Sequence, residues 1–315
     1  MKDDFIYFYL TTETVRSFPC LQAGHKEALS TNAMLVLLLA ASASAWCSDC
    51  FEVSDYNKYT STKDNENYIK DTANISDRAY SDALRELVKA GMMYKVKRNV
   101  YIINSWVVAH GNAVDIQKHR LYCYQKGIFP PPIFGWRDAI TEEEKNRLAE
   151  ELNTDANKQK HACVYVNNFR FFACLRNNTA RRANATELIV FFMFATSAQF
   201  VKYPASIELN NVVSRSVKEL DKLAELLGLK KRAIQYALNN LTDAHLLHKI
   251  DDENGKYIVN PFLSAKGQKD KVNAFQRHFF DDKNRSYFSG FPCGELRYEN
   301  FGVTNIETGE VISYE

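Results

Sequence analysis

The segment from Lys231 to Ala244 places basic and amide side chains at the spacing of one helix face. Its apolar residues recur every three or four positions and predict a buried face, which leaves the polar side chains outward. Arginine and lysine pair with guanine, and asparagine and glutamine pair with adenine, in the major groove of DNA. A solvated face is the plain alternative, because every amphipathic helix has one. The outward residues are Lys230, Lys231, Arg232, Gln235, Tyr236 and Asn239.

An earlier segment, Asp77 to Ala90, has the same apolar spacing but an outward set of mixed charge. Its acidic members Asp77 and Asp82 would repel phosphate, whereas the later segment has no acidic residue before Asp243. We therefore predict that the later helix reads most of the base sequence, and that the earlier copy contacts the DNA backbone or the minor groove. Dimerisation through the earlier surface stays an open alternative. The predicted contacts of the earlier copy are Arg78, Ser81, Arg85, Lys95, Lys97 and Arg98.

The two segments belong to an internal repeat. The agreement continues through Lys95 and Lys249, and after a shift of two residues it resumes with Tyr101-Ile-Ile-Asn104 against Tyr257-Ile-Val-Asn260. One register across a helix, a turn and a strand predicts two structurally equivalent copies. The helix residues Arg78, Ala79, Ala83, Leu84, Leu87 and Ala90 recur as Arg232, Ala233, Ala237, Leu238, Leu241 and Ala244.

Each copy is predicted to have the same order of elements. A β-hairpin and an apolar core helix come first, followed by an approach helix, a tight turn, a second helix and two strands. This order is the winged helix-turn-helix pattern, so the predicted fold class is α+β, with tandem winged helix-turn-helix domains each preceded by a β-hairpin. The first copy is assigned Phe5–Leu10 with Val15–Phe18, Met34–Ala45, Tyr68–Ala73 and Asp77–Ala90. The second is assigned Cys163–Val166 with Phe169–Phe172, Leu188–Phe194, Val217–Leu227 (ended by Gly228), Lys231–Ala244, Leu246–Ile250 and Lys256–Val259.

Four regions are predicted along the chain. The two copies occupy residues 1–125 and 161–280. Between them, residues 126–160 contain the stiff run Phe129-Pro-Pro-Pro132 and a connector helix that begins at a capping box at Thr141. Residues 281–315 form an acidic and aromatic C-terminal tail.

The run Tyr257-Ile-Val-Asn-Pro261, followed by Ala265-Lys-Gly267, resembles the wing ending of RepL-like plasmid replication proteins. More broadly, the chain resembles winged-helix plasmid and phage replication initiators, and its tandem layout is similar to that of initiators that bind repeated origin sequences (iterons). The resemblance implies origin binding and recruitment of host replication proteins such as a helicase or primase. The first copy departs from the pattern, since Ser105 replaces the proline and His110 replaces the lysine.

The net charge of the 315 residues is only +2, so a DNA-binding surface requires that charges be segregated. Arg181 and Arg182 precede the second core helix and Lys266 follows the second wing, and we predict that these side chains also contact DNA. Acidic residues gather in the C-terminal tail. The predicted partner is double-stranded DNA, with a homodimer as a further option.

No catalytic, metal or cofactor site is predicted. The sequence has no P-loop and no His-hydrophobic-His pair with a nucleophilic tyrosine, so we predict a protein that is not an enzyme. Seven scattered cysteines favour the reducing cytoplasm, and the Cys47–Cys50 pair lacks a second pair to complete a zinc site. The apolar run from Met34 to Ala45 is too short to span a bilayer, and no membrane association is expected.

Three functions fit these features. The tandem layout and the wing resemblance favour a replication initiator. A transcriptional repressor or partition adaptor would use the same winged helices, and a protein-interaction scaffold would have lost DNA binding altogether.

Overall fold

A computed structural model gives the architecture of most of both repeated segments. The described residues are 5–8, 12–44, 50–52, 62–97, 100–109, 116, 119–120, 122–123, 126–129, 164–167, 183–198, 212–214, 217–244, 246–251, 255–260, 264–266, 296–299, 302–305 and 311–313.

The chain combines helices and strands in an α+β arrangement, which confirms the predicted class. The first half contains β1 (Phe5–Phe8), α1 (Thr12–Ser17), a 3-10 turn (Pro19–Leu21), α2 (Thr31–Ala43), β2 (Cys50–Glu52), α3 (Thr62–Ala73), α4 (Asp77–Lys89), β3 (Met93–Lys97), β4 (Val100–Ile103) and β5 (Val108–Ala109). The second half contains β6 (Val164–Asn167), α5 (Ala185–Ser197), β7 (Val212–Ser214), α6 (Val217–Leu227), α7 (Lys231–Asp243), β8 (Leu247–Asp251), β9 (Lys256–Val259) and β10 (Ser264–Lys266). A C-terminal antiparallel sheet consists of β11 (Leu296–Glu299), β12 (Gly302–Asn305) and β13 (Val311–Ser313).

Helices of the two halves begin and end at equivalent residues. A constant separation of 154 residues, that between Thr31 and Ala185, carries both ends of α2 onto α5 and both ends of α4 onto α7. The same separation carries the end of α3 at Ala73 onto the end of α6 at Leu227. The repeat seen in the sequence is therefore a repeat of secondary structure.

Each half also contains a three-stranded antiparallel sheet with the same pairing. The strand orders are β2-β4-β3 and β7-β9-β8. In the first sheet Tyr101 lies opposite Lys95, and in the second Tyr257 lies opposite Lys249. Both sheets shift register immediately after that pair, so even the irregularity recurs.

Both halves contribute strands to one four-stranded antiparallel sheet, in the order β10-β6-β1-β5. Its central pair places Tyr7 opposite Tyr165. The outer pairs repeat one another, with Tyr7 opposite Ala109 and Tyr165 opposite Ala265. The two halves are thus joined edge to edge by backbone hydrogen bonds.

The core is built around α2 and α5, which are apolar on all sides. Every residue from Ala33 to Ala41 is at most 2% exposed, and every residue from Leu188 to Ala195 is at most 3% exposed. A helix that is hydrophobic all round must be covered all round. The buried side chains of both halves form one continuous cluster, so the halves share a core. Among the described residues, no helix has the length and apolar character needed to cross a membrane.

The predicted first hairpin is wrong. The stretch assigned to its second strand, Val15–Phe18, lies largely in α1, and β1 instead pairs with the distant strands β5 and β6. Val15 and Phe18 are both buried, and their spacing of three residues suits a helix face as well as a short strand. In the second predicted hairpin, β6 is a strand but pairs with β1 and β10, while Phe169–Phe172 lies outside the described residues.

Three further predictions either differ from the structure or concern residues outside the described ranges. The approach helix of the first copy begins at Thr62, because the polar stretch before Tyr68 has no apolar period from which its start could be seen. The predicted tail contains three paired strands. The connector helix that begins at Thr141 lies outside the described residues.

A close backbone contact ties the first half to the turn between α6 and α7. The Gly24 N–H donates to the Leu227 carbonyl at 2.9 Å. Gly228 follows with a φ of +65°, a conformation that favours glycine. A Cβ atom at Gly24 would overlap the carbonyl oxygen of Gly228, which is backbone and cannot rotate away.

We predict that Gly24→Ala lowers the free energy of unfolding by about 1–3 kcal/mol, the usual cost of overpacking. Urea denaturation followed by circular dichroism measures the effect. Lys26→Ala, an exposed change in the same loop, is the control and should stay within about 0.5 kcal/mol of the wild type. Equal stability of the Gly24 and Lys26 variants would contradict the close contact.

Candidate nucleic-acid interface

Helices α6 and α7 are joined by a three-residue turn, Gly228–Lys230. The Leu229 N–H returns to the Ala224 carbonyl at 2.8 Å and the Gly228 N–H to the Glu225 carbonyl at 3.1 Å, which closes the end of α6. This is the glycine C-cap arrangement that satisfies the last carbonyls of a helix. Lys230 then has extended backbone angles and starts α7.

Helix α7 buries one face and exposes the other, as its sequence predicts. Ile234, Ala237, Leu238 and Leu241 are buried. The structure brings all six predicted reading residues to the solvent side, and Tyr236 is 57% exposed. The exposed members are Lys230, Lys231, Arg232, Gln235, Tyr236 and Asn239.

The exposed face of α7 begins without negative charge. The first turn of the helix carries no acidic residue. Lys231 Nζ lies 3.0 Å from a carboxylate oxygen of Asp221 on α6, but both side chains are about half exposed and solvent screens such a pair. Gln235 Nε2 donates to Asn239 Oδ1 at 3.2 Å, so the two amides lie side by side. The exposed side of α7 therefore carries cationic and amide side chains next to one another.

The equivalent face of α4 is exposed but internally paired. Asp82 forms ion pairs with Arg78, at 4.0 Å, and with Arg85. At the start of the helix, Asp77 contacts Lys70 at 2.6 Å. Ser81 is exposed between them. Because acidic side chains offset its cations, the α4 face attracts phosphate less than the α7 face does.

The edge strand β3 of the first copy exposes both basic and apolar side chains. Lys95 and Lys97 are exposed, and so are Tyr94 at 45% and Val96 at 51%. The apolar pair was not singled out from the sequence, because alternation with lysine gave no sign that both faces of the strand are open to solvent. Of the other predicted contacts, Lys266 lies in β10, and Arg98, Arg181 and Arg182 lie outside the described residues.

The helix that follows the turn is anchored in each copy to the start of a core helix. In the first copy, Glu86 on α4 accepts hydrogen bonds from the N–H and hydroxyl of Ser30, at 2.5 and 2.7 Å, and Ser30 caps α2. In the second, Asn240 on α7 donates to Glu187 at 2.7 Å, and Glu187 completes the capping box of α5 with Asn184. Glu86 and Asn240 occupy equivalent positions, so the same joint is made with different groups.

A polar cluster around His119, which follows the wing strands of the first copy, was not predicted from the sequence. Ser105 Oγ lies 3.3 Å from His119 Nδ1, and Cys123 Sγ lies 3.6 Å from His119 Nε2. The guanidinium of Arg120 donates to the Ser105 carbonyl at 3.0 and 2.5 Å and stacks over the Trp106 ring at 4.6 Å. His119 and Cys123 are one helical turn apart, whereas Ser105 lies 14 residues before His119 with no motif spacing between them, so the fold is needed to bring Ser105 to the cluster.

This cluster holds structure rather than offering a site to solvent. Ser105 and Cys123 are fully buried, so neither side chain is exposed to solvent. Burial, with a smaller contribution from the charge of Arg120, lowers the pKa of His119 to about 4. In the part of the chain that the structure describes, no group of three or more His, Cys, Asp or Glu side chains is placed to hold a metal ion.

Comparison with known proteins gives no relative: no protein-family model, no curated protein and no solved structure matches the chain. The function must therefore be inferred from the two repeated helices and their surroundings.

We predict that acidification destabilises the protein through His119. Between its unfolded pKa of about 6.5 and its folded pKa of about 4, the unfolded state binds more protons, so stability is complete above pH 6.5 and falls as the pH drops toward 4. The loss attributable to this group between pH 7 and pH 5 is about 2 kcal/mol. Urea denaturation of the wild type and of His119→Gln at both pH values measures it. An identical pH dependence in both proteins would exclude His119 as the cause.

Proposed function

We propose that the chain is a sequence-specific double-stranded DNA-binding protein with two winged helix-turn-helix units, and that it acts as a replication initiator of the plasmid or phage type. The observation that carries the DNA-binding proposal is the exposed face of α7. It follows a tight turn from α6, presents lysine, arginine, glutamine and asparagine together, and has no acidic residue in its first turn. These are the side chains that read base edges in the major groove.

The two copies are proposed to divide the work. The α7 face reads bases, because its first turn carries no acidic residue and its ion pair among the described residues, Lys231 with Asp221, is about half exposed to solvent. The α4 face, with its Asp82 ion pairs, contributes fewer base contacts, and Lys95 and Lys97 on β3 contact phosphates. The exposed Tyr94 and Val96 favour a second candidate role for the first copy, contact with another copy of the chain.

The DNA-binding proposal predicts a graded loss in α7 variants. Lys231→Ala, Arg232→Ala and Gln235→Ala should each weaken binding to the preferred duplex by about 1–3 kcal/mol, or roughly 5- to 150-fold in Kd. Fluorescence anisotropy on a duplex selected from a random library measures this, at several salt concentrations. Gln235→Ala should chiefly relax base preference, whereas Lys231→Ala should also reduce the salt dependence.

Lys89→Ala is the matched control for these variants. Lys89 is exposed in the last turn of α4, one turn beyond Arg85, the last predicted contact of that helix, and its removal changes the net charge as Lys231→Ala does. Its affinity should remain near that of the wild type. Unchanged binding in all three α7 variants would remove α7 from the reading role and favour a scaffold function.

The initiator role is tested separately from DNA binding. The resemblance of the segment from Tyr257 to Gly267 to the ending of plasmid replication proteins favours initiation over repression or partition. A carrier without its own origin, supplied with this gene and its upstream DNA, should replicate autonomously with recruited host helicase or primase. Failure to replicate, together with repression of a reporter placed behind the same DNA, would instead support the repressor.

A further inference from the structure

The two halves of the chain meet as the two halves of a symmetric dimer do. In the shared sheet, β1 and β6 run antiparallel, and Tyr7 lies opposite Tyr165. These tyrosines are equivalent to each other, because Tyr7 pairs with Ala109 in one half and Tyr165 pairs with Ala265 in the other, in the same register. An antiparallel pair in which a residue faces its own equivalent has a local two-fold axis through that pair.

A second contact between equivalent residues supports the same axis. Thr31, the first residue of α2, accepts a hydrogen bond on its hydroxyl from the N–H of Ala185, the first residue of α5, at 3.0 Å. These residues correspond at the constant separation of 154. In an isologous interface, residues on the two-fold axis contact their own equivalents, so this contact agrees with the axis found in the antiparallel sheet. Two such points, one in the sheet and one between the core helices, place the halves in a two-fold relation.

The two-fold relation extends to α4 and α7. Each is packed on the core helix of its own half, through Glu86 and Ser30 in one case and Asn240 and Glu187 in the other. The same rotation that relates the core helices therefore relates the two exposed helix faces.

Resting on the proposed DNA-binding function, we infer that one chain binds an imperfect inverted repeat: two half-sites of opposite strand polarity, at fixed spacing, with unlike sequences. A duplex has two-fold axes of its own, and helices related by a two-fold read half-sites related by a two-fold. The half-sites differ because the exposed faces differ. Asp77, Ser81, Asp82 and Arg85 stand where Lys231, Gln235, Tyr236 and Asn239 stand in the other half.

One base contact should be common to both half-sites. Arg78 and Arg232 occupy equivalent exposed positions, and arginine is the usual partner of guanine. The target is thus expected to share one guanine-containing position between its halves and to differ at the positions facing the other four residue pairs.

Selection of the full-length chain on duplexes with about 40 random base pairs tests the inference, since this length holds two half-sites one or more helical turns apart. Enrichment of unlike half-sites in inverted orientation at one spacing is the expected result. Insertion of about five base pairs between them, half a helical turn, should then reduce affinity at least tenfold. Enrichment of half-sites in direct orientation, at variable spacing or as a single half-site would overturn the inference and leave DNA binding standing. If no sequence is enriched, both the inverted-repeat inference and the proposal of sequence-specific DNA binding are wrong.

A surface variant makes the test sharper. The combined change Asp77→Lys, Ser81→Gln, Asp82→Tyr and Arg85→Asn gives α4 the same outward residues from position 77 to position 85 as α7 has from Lys231 to Asn239, and all four positions are exposed. Its selected target should become a perfect inverted repeat of the α7 half-site. Lys89→Asp, which also replaces a first-half residue by its second-half equivalent, lies beyond these positions and should leave the target unchanged. A quadruple variant that melts as the wild type does yet keeps the wild-type target would refute the two-fold reading.

Discussion

Covering two helices that have no polar face is the constraint on which the rest of this structure depends. Helices α2 and α5 are buried along almost their whole length. A single three-stranded sheet and two amphipathic helices leave such a helix partly open to water, so each core helix also packs on the other half. The shared core and the shared four-stranded sheet follow from this need. Since α4 and α7 rest directly on these core helices, burial of apolar surface also fixes where the two exposed faces stand.

The joints between the outer and core helices show how a repeat can be preserved while its residues change. In the first half the carboxylate belongs to Glu86 on the outer helix, and Ala33 stands at the third position of α2. In the second half the carboxylate belongs to Glu187 at the third position of α5, and Asn240 stands on the outer helix. The acidic group has changed sides, yet each half keeps a polar bond from the outer helix to the cap of the core helix. Comparison of identities alone counts these positions as mismatches.

Much of the local structure could be predicted from the sequence, because local spacing decides it. Helix α6 has its predicted bounds Val217–Leu227, and α7 and β9 agree within one residue, since apolar period and Gly228 mark them. The pairing of β1 with β6 could not be predicted, because it depends on contacts about 160 residues apart that no local pattern encodes. The exposed set on α7 followed from amphipathic spacing. The cluster around His119 did not, because Cys123 lies one helical turn away but only tertiary packing brings Ser105 to it.

The distribution of differences between α4 and α7 bears on what the duplicated helices do. Three of the four buried positions keep their residues, as in Ala83 and Ala237, or Leu84 and Leu238, because a change of volume in a packed interior is costly, and Tyr80 with Ile234 is the exception. Exposed positions have diverged in charge and hydrogen-bonding capacity, and Arg78 with Arg232 is the identity retained among the six outward pairs. A solvated face accepts either residue type in either half, so under the proposed function it is the charge of each face that matters. The α4 face is internally neutralised by Asp82 and the α7 face carries more positive charge, so the two would make unlike contacts with DNA.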